Sequence, residues 1–125
     1  RLANKLPDGL SVLAGAIDDY YAKRGDMVFR GAPHLLVVSA KPDAPCAGED
    51  AIIALSYCEL LAQCAGVGTV WCGLLKWVLE LLPELKKSIE LPADAIYYPM
   101  LFGIPGIGYA RTVQRDDAAT VKVVL

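Results

Sequence analysis

The stretch Gly66-Val67-Gly68-Thr69-Val70-Trp71-Cys72-Gly73 joins two apolar segments in the middle of the chain and restricts how they can fold. The preceding segment has helical character, and Gly66 is the type of residue that ends a helix. A second helix is predicted over Leu74–Leu82, which leaves only Thr69–Cys72 as extended backbone between them. Because glycine has no Cβ, this turn also allows close approach by a ligand or a crossing chain.

The composition requires a large apolar surface to be buried or covered. The chain has 125 residues, of which 55% are hydrophobic, whereas a typical soluble domain has roughly 45–50% apolar residues. This length suits a single domain, residues 1–125. We therefore expect one domain with an apolar face that is covered by a second copy or by a segment outside the chain.

Charge, hydrophobic length and cysteine spacing disfavour several classes of function. A net charge of −2 with scattered basic residues argues against nucleic-acid binding. The most hydrophobic window, Leu60–Leu75, contains Gln63 and three glycines and is shorter than the ~20 apolar residues of a membrane span. The four cysteines form no CxxC pair, and only His34 could complement them. We predict no metal site, no membrane association and a reduced, cytoplasmic protein.

The amino-terminal residues do not resemble a secretory signal. Arg1, Lys5 and Asp8 are mixed together, and no apolar run follows a basic start. The chain begins at Arg1 without an initiator methionine, which suggests a processed or excised fragment.

Hydrophobic periodicity and turn residues predict an α+β protein. Helices are expected at about residues 9–22, 48–65, 74–82 and 84–89, and the second of these looks like a central, enclosed helix. Strands are expected at 35–38, 69–72 and 95–102, the first being typical of a strand covered on both faces. The tail, Val121–Leu125, also has strand character. This order predicts a small mixed sheet packed with helices.

Five short motifs resemble, in their order, those of the FMN-dependent nitroreductase family. They are the Ala32-Pro33 turn with the strand after it, the long helix ending at Gly66-Val67-Gly68, the turn Val70-Trp71-Cys72-Gly73, the strand ending at Phe102-Gly103-Ile104-Pro105, and Arg111. They lie in order within the region from Arg30 to Arg115, and they are most similar to nitroreductases with a ferredoxin-like segment ahead of the flavin domain. The resemblance implies a dimeric nitroreductase-like fold, of which this chain is an incomplete copy without the family's arginine-rich amino-terminal element.

The same resemblance implies a function and a set of cofactor-binding residues. The family binds FMN, which takes a hydride from NAD(P)H and reduces nitro, quinone or similar acceptors, so that no catalytic side chain is required. By resemblance, Val70 and Trp71 line the flavin pocket, the Cys72 N–H points at the flavin N5, and Gly73 lets the ring approach. Arg111 would pair with the FMN phosphate. The family relationship also implies a homodimer with FMN at its interface, and a tail, residues 112–125, that crosses to the partner.

Each of these residues also has a simpler interpretation. The glycines of the turn can serve only as a helix stop and for tight packing, and Trp71 can be a core or interface aromatic. Arg111 can be a solvated surface charge. A nucleophilic role for Cys72 is disfavoured, because Lys76 is the only basic residue within four positions of it. The turn is not a dinucleotide-binding fingerprint, since it follows a helix instead of a strand.

The sequence is therefore consistent with three hypotheses about function. The first is an FMN-dependent NAD(P)H oxidoreductase of the nitroreductase type. The alternative is a non-catalytic fragment of such an enzyme that folds and self-associates without flavin. A third hypothesis is a small helix–sheet interaction module unrelated to flavin.

Overall fold

The computed structural model describes residues 11–23, 25–108 and 122, which form a three-stranded sheet and four helices. The predicted order of helices and strands is confirmed for these residues. The prediction for Val121–Leu125 lies outside them, except at Lys122. The elements are α1 Ser11–Tyr21, β1 His34–Ala40, α2 Ala47–Cys64, β2 Gly68–Trp71, α3 Gly73–Leu81, α4 Pro83–Ser88 and β3 Ile96–Gly103.

The sheet has the strand order β1-β3-β2, so that β3 is central and the other two strands lie at the edges. In the register of the sheet, His34 lies opposite Phe102 on one side, and Gly68 lies opposite Gly103 on the other. Both pairings are antiparallel. The prediction of a mixed sheet is wrong for the described residues, because the two strands that run in the same direction, β1 and β2, are separated by β3.

One face of the sheet packs against α3. Side chains alternate between the two faces of a strand, and Tyr97 and Leu101 of β3 point to this side. They form a buried cluster with Leu75 and Leu79 of α3 and with Cys72. The amphipathic pattern of α3 explains this contact, because its two buried leucines are four positions apart and therefore share one side of the helix.

The opposite face of the sheet packs against α2. Leu55 of α2 and Met100 of β3 are completely buried, with 0% and 1% of their surfaces exposed. The other buried residues of α2 are small, namely Ala47 and Ala51. Two small residues allow the helix backbone to lie close to the strands.

The outward side of α2 is apolar and exposed, so the prediction of an enclosed helix is wrong for the described chain. Its large side chains lie at helical spacing and are each more than half exposed, and the exposed Cys64 continues the row. We call this row the outer stripe of α2; it consists of Ile53, Tyr57, Leu60, Leu61 and Cys64. Despite this apolar surface, none of the described helices has both the length and the apolar character of a membrane span.

Strand β1 is less covered than its apolar run predicts. None of its seven residues is fully buried, and Leu35 is exposed. The prediction of a strand covered on both faces is therefore wrong within the described part of the chain. The reason is its position at the edge of the sheet, where α2 covers one face and α3 packs against the central strand instead.

Candidate functional site

Two of the three glycines in the central turn are explained by contacts within the chain. Gly66 has a φ of +73°, and its N–H donates to Gln63 O at 3.1 Å, while the N–H of Val67 donates to Ala62 O at 2.8 Å. These are the paired hydrogen bonds of a Schellman helix end. At Gly68, a Cβ would lie 3.1 Å from the Cβ of Pro105. The helix-stop and tight-packing interpretations therefore account for Gly66 and Gly68.

Cys72 is bound into the fold through its backbone and its thiol. Its N–H donates to Pro99 O at 3.0 Å, and its carbonyl accepts the N–H of Lys76 at 3.1 Å. The thiol is buried and donates to Val28 O at 3.5 Å. The role that the resemblance implies for this N–H is opposed by the first of these bonds, since a donor directed at Pro99 does not also point at a flavin.

The backbone that faces outward at this edge belongs instead to Trp71. In an antiparallel pair, hydrogen-bonded and non-hydrogen-bonded positions alternate. Because Cys72 directs its N–H toward β3, the N–H and C=O of Trp71 face the edge of β2 that no other described strand pairs with. Gly73 follows as the first residue of α3, where a backbone N–H has no acceptor within its own helix. The outward-facing donor of the turn is thus the amide of Trp71, and the amide of Gly73 is a second donor without an acceptor in its own helix.

The indole of Trp71 is held between a carboxylate and an aromatic ring. Its Nε1–H donates to Glu59 Oε2 at 2.9 Å. The second carboxylate oxygen, Oε1, accepts the hydroxyl of Thr69 at 3.4 Å. On the other side, the Trp71 ring meets Tyr98 edge to face, with ring centroids 5.3 Å apart and an interplanar angle of 63°. These contacts connect α2, β2 and β3 at one corner of the sheet.

The predicted site residues are only partly brought together by the described structure. Val70 lies on the α3 side of β2 with its side chain exposed, opposite to the side on which Trp71 lies. At Gly73, a Cβ would lie 3.4 Å from the hydroxyl of Tyr98, which is an ordinary contact. Arg111 lies outside the described residues. The contiguous candidates are therefore Trp71, Cys72 and Gly73, with Val70 on the other face.

Three side chains at this corner were missed by the sequence analysis, namely Glu59, Thr69 and Tyr98. A signal for Glu59 was present, because it is the only charged residue between Asp50 and Lys76. An isolated charge in an apolar segment usually needs a hydrogen-bonding partner. Thr69 and Tyr98 carry no comparable signal, since their role depends on the register of the sheet.

Other features of the described residues lie apart from this corner. An open surface pocket at the end of α1, lined by Tyr20, Tyr21, Lys23, Gly25 and Asp26, includes none of the turn residues. Among the described residues, no group of three or more His, Cys, Asp or Glu side chains could hold a metal ion.

One titratable group on the α3 side of the sheet has a shifted pKa. Burial raises the pKa of Tyr97 above its ordinary value of 10.0, and the negative charge of Glu80 adds to this effect. The Tyr97 hydroxyl donates to Lys76 O at 3.2 Å, which holds the neutral phenol in place.

The chain was also compared with known proteins. No protein family, curated protein or solved structure matches it. The arrangement of residues at the Trp71 corner is therefore the basis for a functional assignment.

Proposed function

We propose that this chain is part of an FMN-dependent oxidoreductase of the nitroreductase type, which uses NAD(P)H to reduce nitro, quinone or similar acceptors in the cytoplasm. The bound flavin supplies the redox chemistry by accepting a hydride and passing electrons to the acceptor. The protein's contribution is to bind and orient the ring. No side chain of the turn is required as a nucleophile or a general acid.

The observation that carries the proposal is the edge of the sheet at Trp71, which is unpaired among the described strands. There, β2 ends and α3 begins after one residue, and the outward-facing amide of Trp71 and the first amide of α3 are close in sequence to a hydrogen-bonded indole. A flat, hydrogen-bonding heterocycle such as a flavin needs both an apolar wall and nearby donors. Trp71 supplies the wall, and the amides of Trp71 and Gly73 supply the donors.

This assignment changes which residue contacts the flavin edge. The residues Val70–Gly73 remain the proposed binding turn, but Cys72 supports it from inside through its bond to Pro99. In the proposal, Gly73 lets the ring approach the backbone because it has no Cβ; a Cβ there would make only an ordinary 3.4 Å contact with the Tyr98 hydroxyl, so packing within the chain does not require this glycine. In the proposal, Arg111 pairs with the FMN phosphate through its planar guanidinium group.

A homodimer completes the proposed enzyme. The outer stripe of α2 is apolar and carries no charged residue, while the one charge in this half of the helix, Glu59, is bonded to Trp71 on the inward side. A charge-free helical stripe can pair with the same stripe of a second copy around a two-fold axis. In the proposal, the tail, residues 112–125, crosses to the partner.

The proposal is tested by titrating the purified protein with FMN and following flavin fluorescence and absorbance. We expect saturable binding, and we expect Trp71→Ala to weaken it strongly because the aromatic wall is lost. Trp77→Ala is the matched control, since Trp77 is half exposed on α3 and lies outside the turn. A protein that cannot be reconstituted with FMN, or equal effects of the two substitutions, would contradict the proposal.

The second candidate function is a self-associating fragment that does not bind flavin. The internal Cys72–Pro99 hydrogen bond favours it, because this bond completes the turn without any ligand. Sedimentation analysis beside the same FMN titration separates the two functions. Self-association without FMN binding would support the fragment, and FMN binding would exclude it.

A further inference from the structure

The carboxylate of Glu59 is shared between two donors of the same strand. Trp71 Nε1–H donates to one of its oxygens at 2.9 Å, and Thr69 Oγ1–H donates to the other at 3.4 Å. Thr69 and Trp71 are two positions apart in β2, so both side chains point to the side of the sheet that α2 covers. No lysine or arginine among the described residues forms an ion pair with Glu59.

This carboxylate limits the positions that the indole can take. A tryptophan side chain has one polar atom, its Nε1–H, so an acceptor at a fixed place, together with the attachment of the ring at Cβ, restricts χ1 and χ2 and with them the orientation of the indole. Glu59 belongs to an 18-residue helix and lies one turn beyond the fully buried Leu55. The acceptor is therefore held by a rigid element, and Tyr98 limits the ring from the other side.

We propose that Glu59 is a positioning residue for the ligand-binding edge: it fixes the indole of Trp71 and thereby sets the wall against which a flat aromatic ligand binds. This inference rests on the proposed function, because it takes FMN as the ligand. Glu59 does not touch the ligand and acts only through Trp71. Thr69 shares the carboxylate but contributes less, since its contact is longer.

The test uses the Trp77→Phe protein, in which Trp71 is the only tryptophan. In this background, Glu59→Leu should make Trp71 fluorescence more accessible to acrylamide and weaken FMN binding by about tenfold, the effect of losing one hydrogen bond to a charged group. Glu59→Gln retains an acceptor oxygen and should restore most of both properties. Thr69→Val is the matched control and should change each of them less than Glu59→Leu.

A double-mutant cycle separates positioning from a general loss of structure. If Glu59 acts only through Trp71, Glu59→Leu should have no additional effect on FMN affinity when Trp71 is replaced by phenylalanine. An additional effect of similar size would overturn the inference, as would wild-type FMN affinity or unchanged quenching in Glu59→Leu. If Glu59→Leu does not fold, Glu59→Ala, which also removes the acceptor, forms the same cycle with Trp71→Phe.

The outcomes also separate this inference from the proposed function. A Trp77→Phe protein that does not bind FMN removes the proposed function and, with it, the ligand-binding part of the inference. If the Trp77→Phe protein binds FMN, but Glu59→Leu changes neither the FMN affinity nor the quenching of Trp71, only the role of Glu59 is overturned.

Discussion

The two helices that flank the sheet, α2 and α3, differ in the direction in which their large apolar side chains point. In α3, two leucines point inward and are buried against Tyr97 and Leu101. In α2, the inward positions are mainly alanines, and the large apolar side chains of the outer stripe point away from the sheet. Burial of apolar area is the main favourable term in both folding and association. The chain by itself buries the inward leucines of α3, whereas α2 retains a surface suited to association.

The largest expected effect concerns the inward side of α2. Leu55→Ala should lower the free energy of unfolding by about 2–5 kcal/mol, because it removes a completely buried side chain and leaves a cavity. Leu60→Ala on the outer stripe is the matched control and should change it by only about 0.5 kcal/mol in the monomer. Urea denaturation at low protein concentration measures both. Equal losses would mean that the outer stripe is covered within one chain.

The second prediction concerns association through the outer stripe. Leu60→Glu should weaken self-association by roughly thirtyfold, because an unpaired charge would enter the middle of an apolar contact. Leu85→Glu introduces the same change in α4 and should leave association unchanged. Sedimentation velocity over a range of concentrations gives the dissociation constants. A Leu60→Glu protein that associates like the wild type would place the contact elsewhere.

A smaller effect on stability should distinguish a glycine whose Cβ position is occupied by a neighbouring side chain from a glycine with free space around it. At Gly103 of β3, a Cβ would lie 2.8 Å from Pro33 Cδ, so Gly103→Ala should cost about 1–3 kcal/mol of stability through overpacking. At Gly48 of α2, a Cβ would meet nothing within 4 Å. Gly48→Ala should therefore stabilise the protein by up to about 1 kcal/mol, from helix propensity. Thermal unfolding would show opposite shifts, and a stable Gly103→Ala protein would contradict the packing.

The smallest effect is a pH dependence on the α3 side of the sheet. Because the folded-state pKa of Tyr97 is raised above 10.0, folding favours the neutral phenol. The contribution of the neutral Tyr97 phenol to the free energy of unfolding is fully present below pH 10 and is lost as the pH rises through the folded-state pKa. Tyr97→Phe should abolish this loss and cost about 1 kcal/mol at neutral pH, from the missing hydrogen bond to Lys76 O.

Urea denaturation at pH 8 and above pH 10 measures this dependence. Tyr57→Phe, on the outer stripe of α2, is the control and should retain the wild-type behaviour. A Tyr97→Phe protein that loses stability above pH 10 as the wild type does would assign the dependence to another group.

Local sequence signals were sufficient to place most of the elements. The helix end at Gly66, the strand before Gly103 and the helix after Cys72 all follow from residues within a few positions of each boundary. Predictions that depended on what covers an element were less successful. The apolar pattern of α2 indicates that it must be covered but does not distinguish a neighbour in the same chain from one outside it. The same applies to β1, whose edge position is decided by the pairing of β3.

At the candidate site, too, local sequence signals predicted the position of the segment but not its contacts with the rest of the fold. Sequence motifs located the turn. Strand register, however, determines that the N–H of Cys72 points toward β3 and that the backbone N–H and C=O of Trp71 face the edge of the sheet. The pairing of Glu59 with Trp71 connects residues twelve positions apart and depends on how α2 lies across the sheet. Such contacts carry no local signature beyond the isolated charge of Glu59.

The proline of the central strand, Pro99, lies beside the residue that follows the end of β2. Proline has no N–H, so Pro99 accepts a hydrogen bond from Cys72 but cannot return one. The Cys72 carbonyl is therefore left for Lys76, and this bond is the first of α3. The missing N–H at position 99 thus coincides with the residue at which β2 ends and α3 begins. Any residue with an N–H at position 99 would offer β2 a further rung, in competition with the first turn of the helix.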